Sequence, residues 1–124
     1  MIRVLLAEDQ GMMRGALAVL LGLEPDIEVV AEVSTGTAIL PRALETRPDV
    51  ALLDIELPGR SGLDAAADLA RELPGCAVVM VTTFARPGYV QRAMAAGARG
   101  FLVKDRPALV SQGSDLADLF ANVS

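Results

Sequence analysis

Apolar residues in this chain gather into five short runs, and between them lie four longer stretches with helical spacing. The runs are Ile2 to Ala7, Ile27 to Val33, Val50 to Leu53, Ala77 to Val81 and Gly100 to Val103. Their length and their Val, Ile and Leu content predict β-strands. Four are nearly continuous, as in strands covered on both faces. The run from Ile27 is interrupted by Glu28 and Glu32, which places it nearer a sheet edge. Met12 to Leu23 carries Met13, Ala16, Leu17, Leu20 and Leu21 at helical intervals. Gly36 to Thr46 is a weaker helix, because Pro41 removes a backbone donor and threatens to shorten or kink it. Gly62 to Leu73 is rich in Ala and Leu, with Ser61 placed as an N-cap. Pro87 to Ala96 opens with proline and closes at Gly97, a favoured start and stop.

Strands alternating with helices predict a parallel sheet with helices on both faces. Five such units in 124 residues fit the flavodoxin-like doubly wound α/β fold with strand order 2-1-3-4-5. No linker or low-complexity tract divides the chain, so residues 1–124 read as a single domain. In this topology ligands bind beyond the carboxyl ends of the strands, where the first strand lies beside the third.

Composition narrows the function classes. A hydrophobic fraction of 52% against 22% charged residues excludes a disordered chain. Aromatics make up only 3%, so the core must be aliphatic. A net charge of −5 gives no basic face for gripping nucleic acid. Cys76 is the single cysteine, beside an apolar run, and reads as a small core residue. No apolar stretch approaches the roughly 20 residues of a membrane span. The apolar start at Met1 meets carboxylates too soon for a signal peptide, so a cytoplasmic location is expected.

The predicted strand ends carry the chemistry. Glu8 and Asp9 follow the first strand, Asp54 the third, Thr82 and Thr83 the fourth, and Lys104 the fifth. Any one of these alone is an ordinary loop residue or helix cap. In a doubly wound sheet all of them converge on one rim. Converging carboxylates repel, and a hard divalent cation is the natural remedy. Mg2+ takes oxygen ligands, keeps several waters, and binds through one or two carboxylates plus phosphate. Such a set suits phosphoryl transfer, with the cation and a lysine offsetting phosphate charge while a carboxylate oxygen attacks phosphorus.

These residues occur in Leu5-Leu6-Ala7-Glu8-Asp9-Gln10, in Leu52 to Gly59 with Gly62 and Leu63, in Val81-Thr82-Thr83, and in Ala96 to Asp105. In that order and at those intervals the sequence resembles the receiver domains of two-component response regulators, from Ile2 to about Pro107. The wording of Gly97 to Asp105 is most similar to the NarL subgroup of transcription regulators. The resemblance implies a role for each position. Asp54 is the phosphoacceptor. Glu8, Asp9, Asp54 and the backbone carbonyl of Glu56 hold Mg2+, directly or through water. Lys104 contacts the phosphoryl oxygens, Thr82 hydrogen-bonds the phosphoryl group, and Phe101 occupies the switch position. Phe101 is expected to lie partly or wholly inward even without phosphate, since it has no hydroxyl to satisfy. Pro58 and Gly62 shape the loop after the acceptor.

The implied function is a phosphorylation-dependent switch and not an enzyme in its own right. A histidine kinase is the implied partner and phosphodonor, since the chain has no histidine of its own. A homodimer on phosphorylation is the implied self-association, and DNA is reached only through an output domain that this sequence lacks. Two other classes compete. An aspartate-nucleophile phosphatase would place an Asp-x-Asp pattern after the first strand, which Glu8-Asp9-Gln10 does not fit. A phosphate-independent pseudo-receiver would not need the complete acidic set with Thr82 and Lys104. The sequence departs from the family at Asp105, where many receivers have proline, at Pro41, and most of all at residues 108–124. There Gly113 interrupts the expected fifth helix and Ser114 offers to cap a separate short one.

Overall fold

The computed structural model of the protein describes residues 1–82 and 87–103. Its elements alternate as β1 (Ile2–Ala7), α1 (Gly11–Gly22), β2 (Ile27–Val33), a short 3-10 turn (Gly36–Ala38) running into α2 (Ile39–Thr46), β3 (Val50–Asp54), α3 (Gly62–Glu72), β4 (Ala77–Thr82), α4 (Pro87–Ala95) and β5 (Ala98–Val103). All five strands pair in parallel, in the order β2-β1-β3-β4-β5. This is the doubly wound fold that the βα alternation predicts. The fifth-helix region, residues 108–124, lies outside the described residues.

Two aliphatic layers hold the sheet to its helices. On one face Leu5, Ala7, Ala51, Leu53, Val78 and Met80 pack against α2, α3 and Ala93 of α4, with Ile39, Ala43, Leu63, Ala66 and Leu69 fully or nearly buried. On the other face Val4, Leu6, Val50, Leu52, Val79 and Val81 meet Leu17 and Leu21 of α1. Each such leucine contributes on the order of 1.5–3 kcal/mol through burial. Cys76 is buried in the first layer, and its burial pushes the thiol up to about 11. It is an inert packing residue at neutral pH.

The elements follow local rules. Pro41 is the third residue of α2, inside the first turn, where no intrahelical partner is lost. The threatened kink is therefore absorbed at the helix start, after the 3-10 turn. Ser61 caps α3, its Oγ accepting from the Asp64 N–H at 3.1 Å. Gly97, with a positive φ of 102°, follows α4. Helix α1 departs from the expected packing. Only Leu17 and Leu21 are buried, while Ala16 faces outward with Met12 and Val19. Apolar residues occupy nearly the whole of this helix, so spacing alone does not single out its inner face.

Strand β2 is an edge strand, and Glu28 and Glu32 are exposed as expected. Its register against β1 slips by one at Val30, which has no partner, between the Val4–Val29 and Leu5–Ala31 pairs. The slip carries the strand from one core layer to the other: Ile27 and Val29 pack with α1, Ala31 and Val33 with α2 and α3. Among the described residues, no helix is long and apolar enough to cross a membrane.

Candidate functional site

Strand β3 is buried along its whole length, and its last residue is Asp54. A carboxylate is thereby carried to the rim on the most protected strand of the sheet. Pairing continues one step further, the Ile55 N–H donating to the Val81 carbonyl at 3.3 Å. The chain then turns, and the Glu56 N–H donates to Asp54 Oδ1 at 3.3 Å. Gly62 closes the loop by donating its N–H to the Ile55 carbonyl at 2.8 Å. A Cβ at position 62 would lie 1.9 Å from the Asp54 carbonyl oxygen, so only glycine fits. The sequence reading of Gly62 as a loop-shaping residue is met by this contact.

Strand β1 delivers the other two carboxylates. The Glu8 N–H prolongs the ladder to the Val33 carbonyl at 3.0 Å. Its side chain folds back, Oε2 accepting the Gln10 N–H at 3.0 Å. Arg14, on the first turn of α1, donates from Nη1 to the Glu8 carbonyl at 2.8 Å and reaches the Glu32 carboxylate at 3.7 Å. Arg14 thus ties the acidic turn to α1 and to β2. It is the one charged residue within α1, and that isolation is the signal in the sequence that marks it.

Because β1 and β3 are neighbours, Glu8, Asp9 and Asp54 meet. Their carboxylate oxygens lie within 4.8 Å of one another. Glu8 is 1% and Asp54 7% exposed, while Asp9 faces solvent, so the cluster is closed below and open at the rim. An all-oxygen donor set of this charge and openness fits a hard divalent cation that retains water ligands, as Mg2+ does.

Thr82 ends β4, one residue beyond the partner of Asp54, and its backbone pairs with Val103 of β5. Phe101 of β5 is half-buried and packs against the α2–α3 layer. Thr83 and Lys104 lie outside the described residues, as does the bond between Lys104 and Asp105. A second charged group lies beyond the acidic cluster. Arg60, in the loop after Asp54, makes a two-point ion pair with Asp68 of α3, at 2.7 and 2.9 Å. The two are eight residues apart across a loop and a helix, so no periodicity announces the pair.

Comparison with known proteins agrees with this architecture. Residues 4–111 match the family model of the response regulator receiver domain. The transcriptional regulatory protein DesR of Bacillus subtilis is 50% identical over 107 residues, which cover 86% of this chain and 53% of DesR. The DNA-binding transcriptional activator DevR/DosR of Mycobacterium tuberculosis is 34% identical over 105 residues, covering 85% of this chain and 48% of that protein. The chain thus spans about half the length of the curated relatives it matches. Among solved structures, the receiver domain of the response regulator NarL from Mycobacterium tuberculosis superposes with a TM-score of 0.87 at 30% identity, covering 97% of this chain and 96% of that one. A LuxR-family DNA-binding response regulator from Staphylococcus aureus gives 0.86 at 30% identity, covering 97% and 99%. On its sequence, its strand order and its acidic rim, this chain belongs to the response regulator receiver domain family, among relatives that are transcription regulators of the NarL and LuxR type.

Proposed function

We propose that Asp54 accepts a phosphoryl group from the phosphohistidine of a histidine kinase, with Glu8, Asp9, Asp54 and the Glu56 carbonyl holding Mg2+. The observation that carries this reading is the meeting of three carboxylates within 4.8 Å at the β1–β3 switch point. When bound, Mg2+ supplies positive charge to the phosphoryl oxygens and to the carboxylates around them. The remaining work falls to the chain. A carboxylate oxygen of Asp54 attacks phosphorus and forms the new P–O bond. The P–N bond to the donor imidazole breaks, and its electron pair stays with the nitrogen, which takes up a proton. Asp54 is buried but for a small exposed fraction, which limits approach to the rim, and the Glu56 N–H on Oδ1 steadies the carboxylate. Lys104 contacts the phosphoryl oxygens in this reading. The Thr82 hydroxyl is drawn to the new acceptor oxygens, and Phe101 turns further inward behind it, shifting a population already present. The surface of α4 and β5 carries the change outward.

In this reading residues 1–124 form one receiver domain with an atypical tail, working in the cytoplasm. Output falls to a DNA-binding region of the whole protein, and phosphorylation promotes a homodimer. Acetyl phosphate with Mg2+ should add one acid-labile phosphate, read by intact mass, and omitting Mg2+ should suppress it. Asp54→Asn should abolish labelling, because an amide is a poor nucleophile. Thr82→Ala should still be labelled, yet show a smaller beryllofluoride-induced shift of the Phe101 ring signals. Full labelling of Asp54→Asn at a single site would move the acceptor elsewhere.

A further inference from the structure

Asp68 is a buried carboxylate that the phosphoryl chemistry does not use. It sits on α3, 7% exposed, and Arg60 grips it with both edges of the guanidinium fork, Nε on Oδ2 and Nη2 on Oδ1. Arg60 belongs to the loop that joins Asp54 and Glu56 to α3. The opposite side of that loop is also held. The Gly36 N–H donates to the Pro58 carbonyl at 3.0 Å. A Cβ at position 36 would fall 1.5 Å from the Arg60 carbonyl oxygen, so the two backbones touch. The loop is therefore pinned between the turn before α2 and the body of α3.

We infer that Arg60 and Asp68 form a positioning clamp for the metal-binding loop. The inference rests on the Mg2+ reading above. A loop free to move would present the Glu56 carbonyl in many orientations, and binding would have to order it. The Arg60–Asp68 pair orders it beforehand. An exposed ion pair contributes little as a rule, but this one is two-pronged, has a buried partner, and ties to α3 a loop whose other side is held by backbone contacts alone. Arg71 supplies an internal control. Its Nη2 contacts the same Asp68 Oδ1 at 3.1 Å, yet both residues lie on α3, so that contact ties no loop.

The test compares wild type, Asp68→Ala, Arg60→Ala, Arg60→Lys and Arg71→Ala. Mg2+ affinity is read by calorimetry, and amide exchange across residues 56–62 is read in the metal-free protein. Asp68→Ala removes the buried charge and leaves Arg60 to solvent, so it keeps the fold even if Arg60→Ala does not. Asp68→Ala and Arg60→Ala should weaken Mg2+ binding by about five- to thirtyfold, the scale of losing one residue's backbone order, and should speed exchange in the loop. Arg60→Lys, keeping the charge without the fork, should fall between. Arg71→Ala, whose contact orders no loop residue, should leave both affinity and loop exchange at the wild-type level. Unchanged affinity and exchange in Asp68→Ala would overturn the clamp, and so would an equal loss in Arg71→Ala. Failure of wild type to bind Mg2+ would instead remove the metal reading on which the clamp rests.

Discussion

Ser61 and Gly62 are neighbours with opposite requirements. Ser61 is valued for an oxygen: its Oγ satisfies the Asp64 N–H at the start of α3. Replacing it with alanine should cost about 1 kcal/mol in urea unfolding and leave labelling of Asp54 intact. Gly62 is valued for lacking a side chain, because a methyl group there would collide with the Asp54 carbonyl. Gly62→Ala should cost about 1–3 kcal/mol by overpacking, and the same displacement should slow phosphorylation of Asp54. A variant that lost stability without losing labelling rate would show that the loop yields without moving the acceptor. Both residues were legible in the sequence, since a cap and a tight turn are local devices. Glu8, Asp9 and Asp54 were legible for a different reason: strand-end position alone brings them together once the strand order is known. The contacts of Arg14 and of the Arg60–Asp68 pair were not legible. Their partners are backbone or side-chain groups whose proximity arises only from how the helices sit on the sheet.

Among the elements, α3 links stability to acid. Arg60, and then Arg71, hydrogen-bond the Asp68 carboxyl and hold it below the usual carboxylate range, against the opposing effect of burial. The folded protein thus keeps this group ionised at a pH where the unfolded chain begins to protonate it. Stability from the pair is therefore complete above the ordinary aspartate value of about 3.9 and is lost as pH falls through the lower folded value. The melting-temperature gap between wild type and Asp68→Ala should be constant near neutrality and narrow below about pH 4. A gap that widened in acid would reverse the assignment. Strands were the most readable elements, since four or more aliphatic residues in a row leave little choice of environment. Their ends moved slightly, with β3 extending to Asp54 and β5 beginning at Ala98. The inner face of α1 was unreadable, because a helix apolar almost all round has no preferred side in the pattern.

Over the whole molecule, the acidic rim predicts linkage between metal and folding. A ligand that binds only the folded state stabilises it by about 1.4 kcal/mol at ten times its dissociation constant. Mg2+ should therefore raise the melting temperature in a concentration-dependent way. Asp9→Asn, which removes one carboxylate charge from the cluster, should require more Mg2+ for the same rise. An identical response in wild type and Asp9→Asn would take Asp9 out of the metal site.

The slipped register of β2 has a consequence for crowding. An open sheet edge is a template on which another chain can add a strand. On this edge the slip at Val30 sends Glu28 and Glu32 to opposite faces of the sheet, and both are exposed. An incoming strand would meet a carboxylate whichever face its own side chains sought, and a second copy would bring like charges against them. The local kink also spoils the straight run of donors and acceptors that templating needs. A domain this rich in aliphatic strands can therefore be present at high concentration without its β2 edges joining.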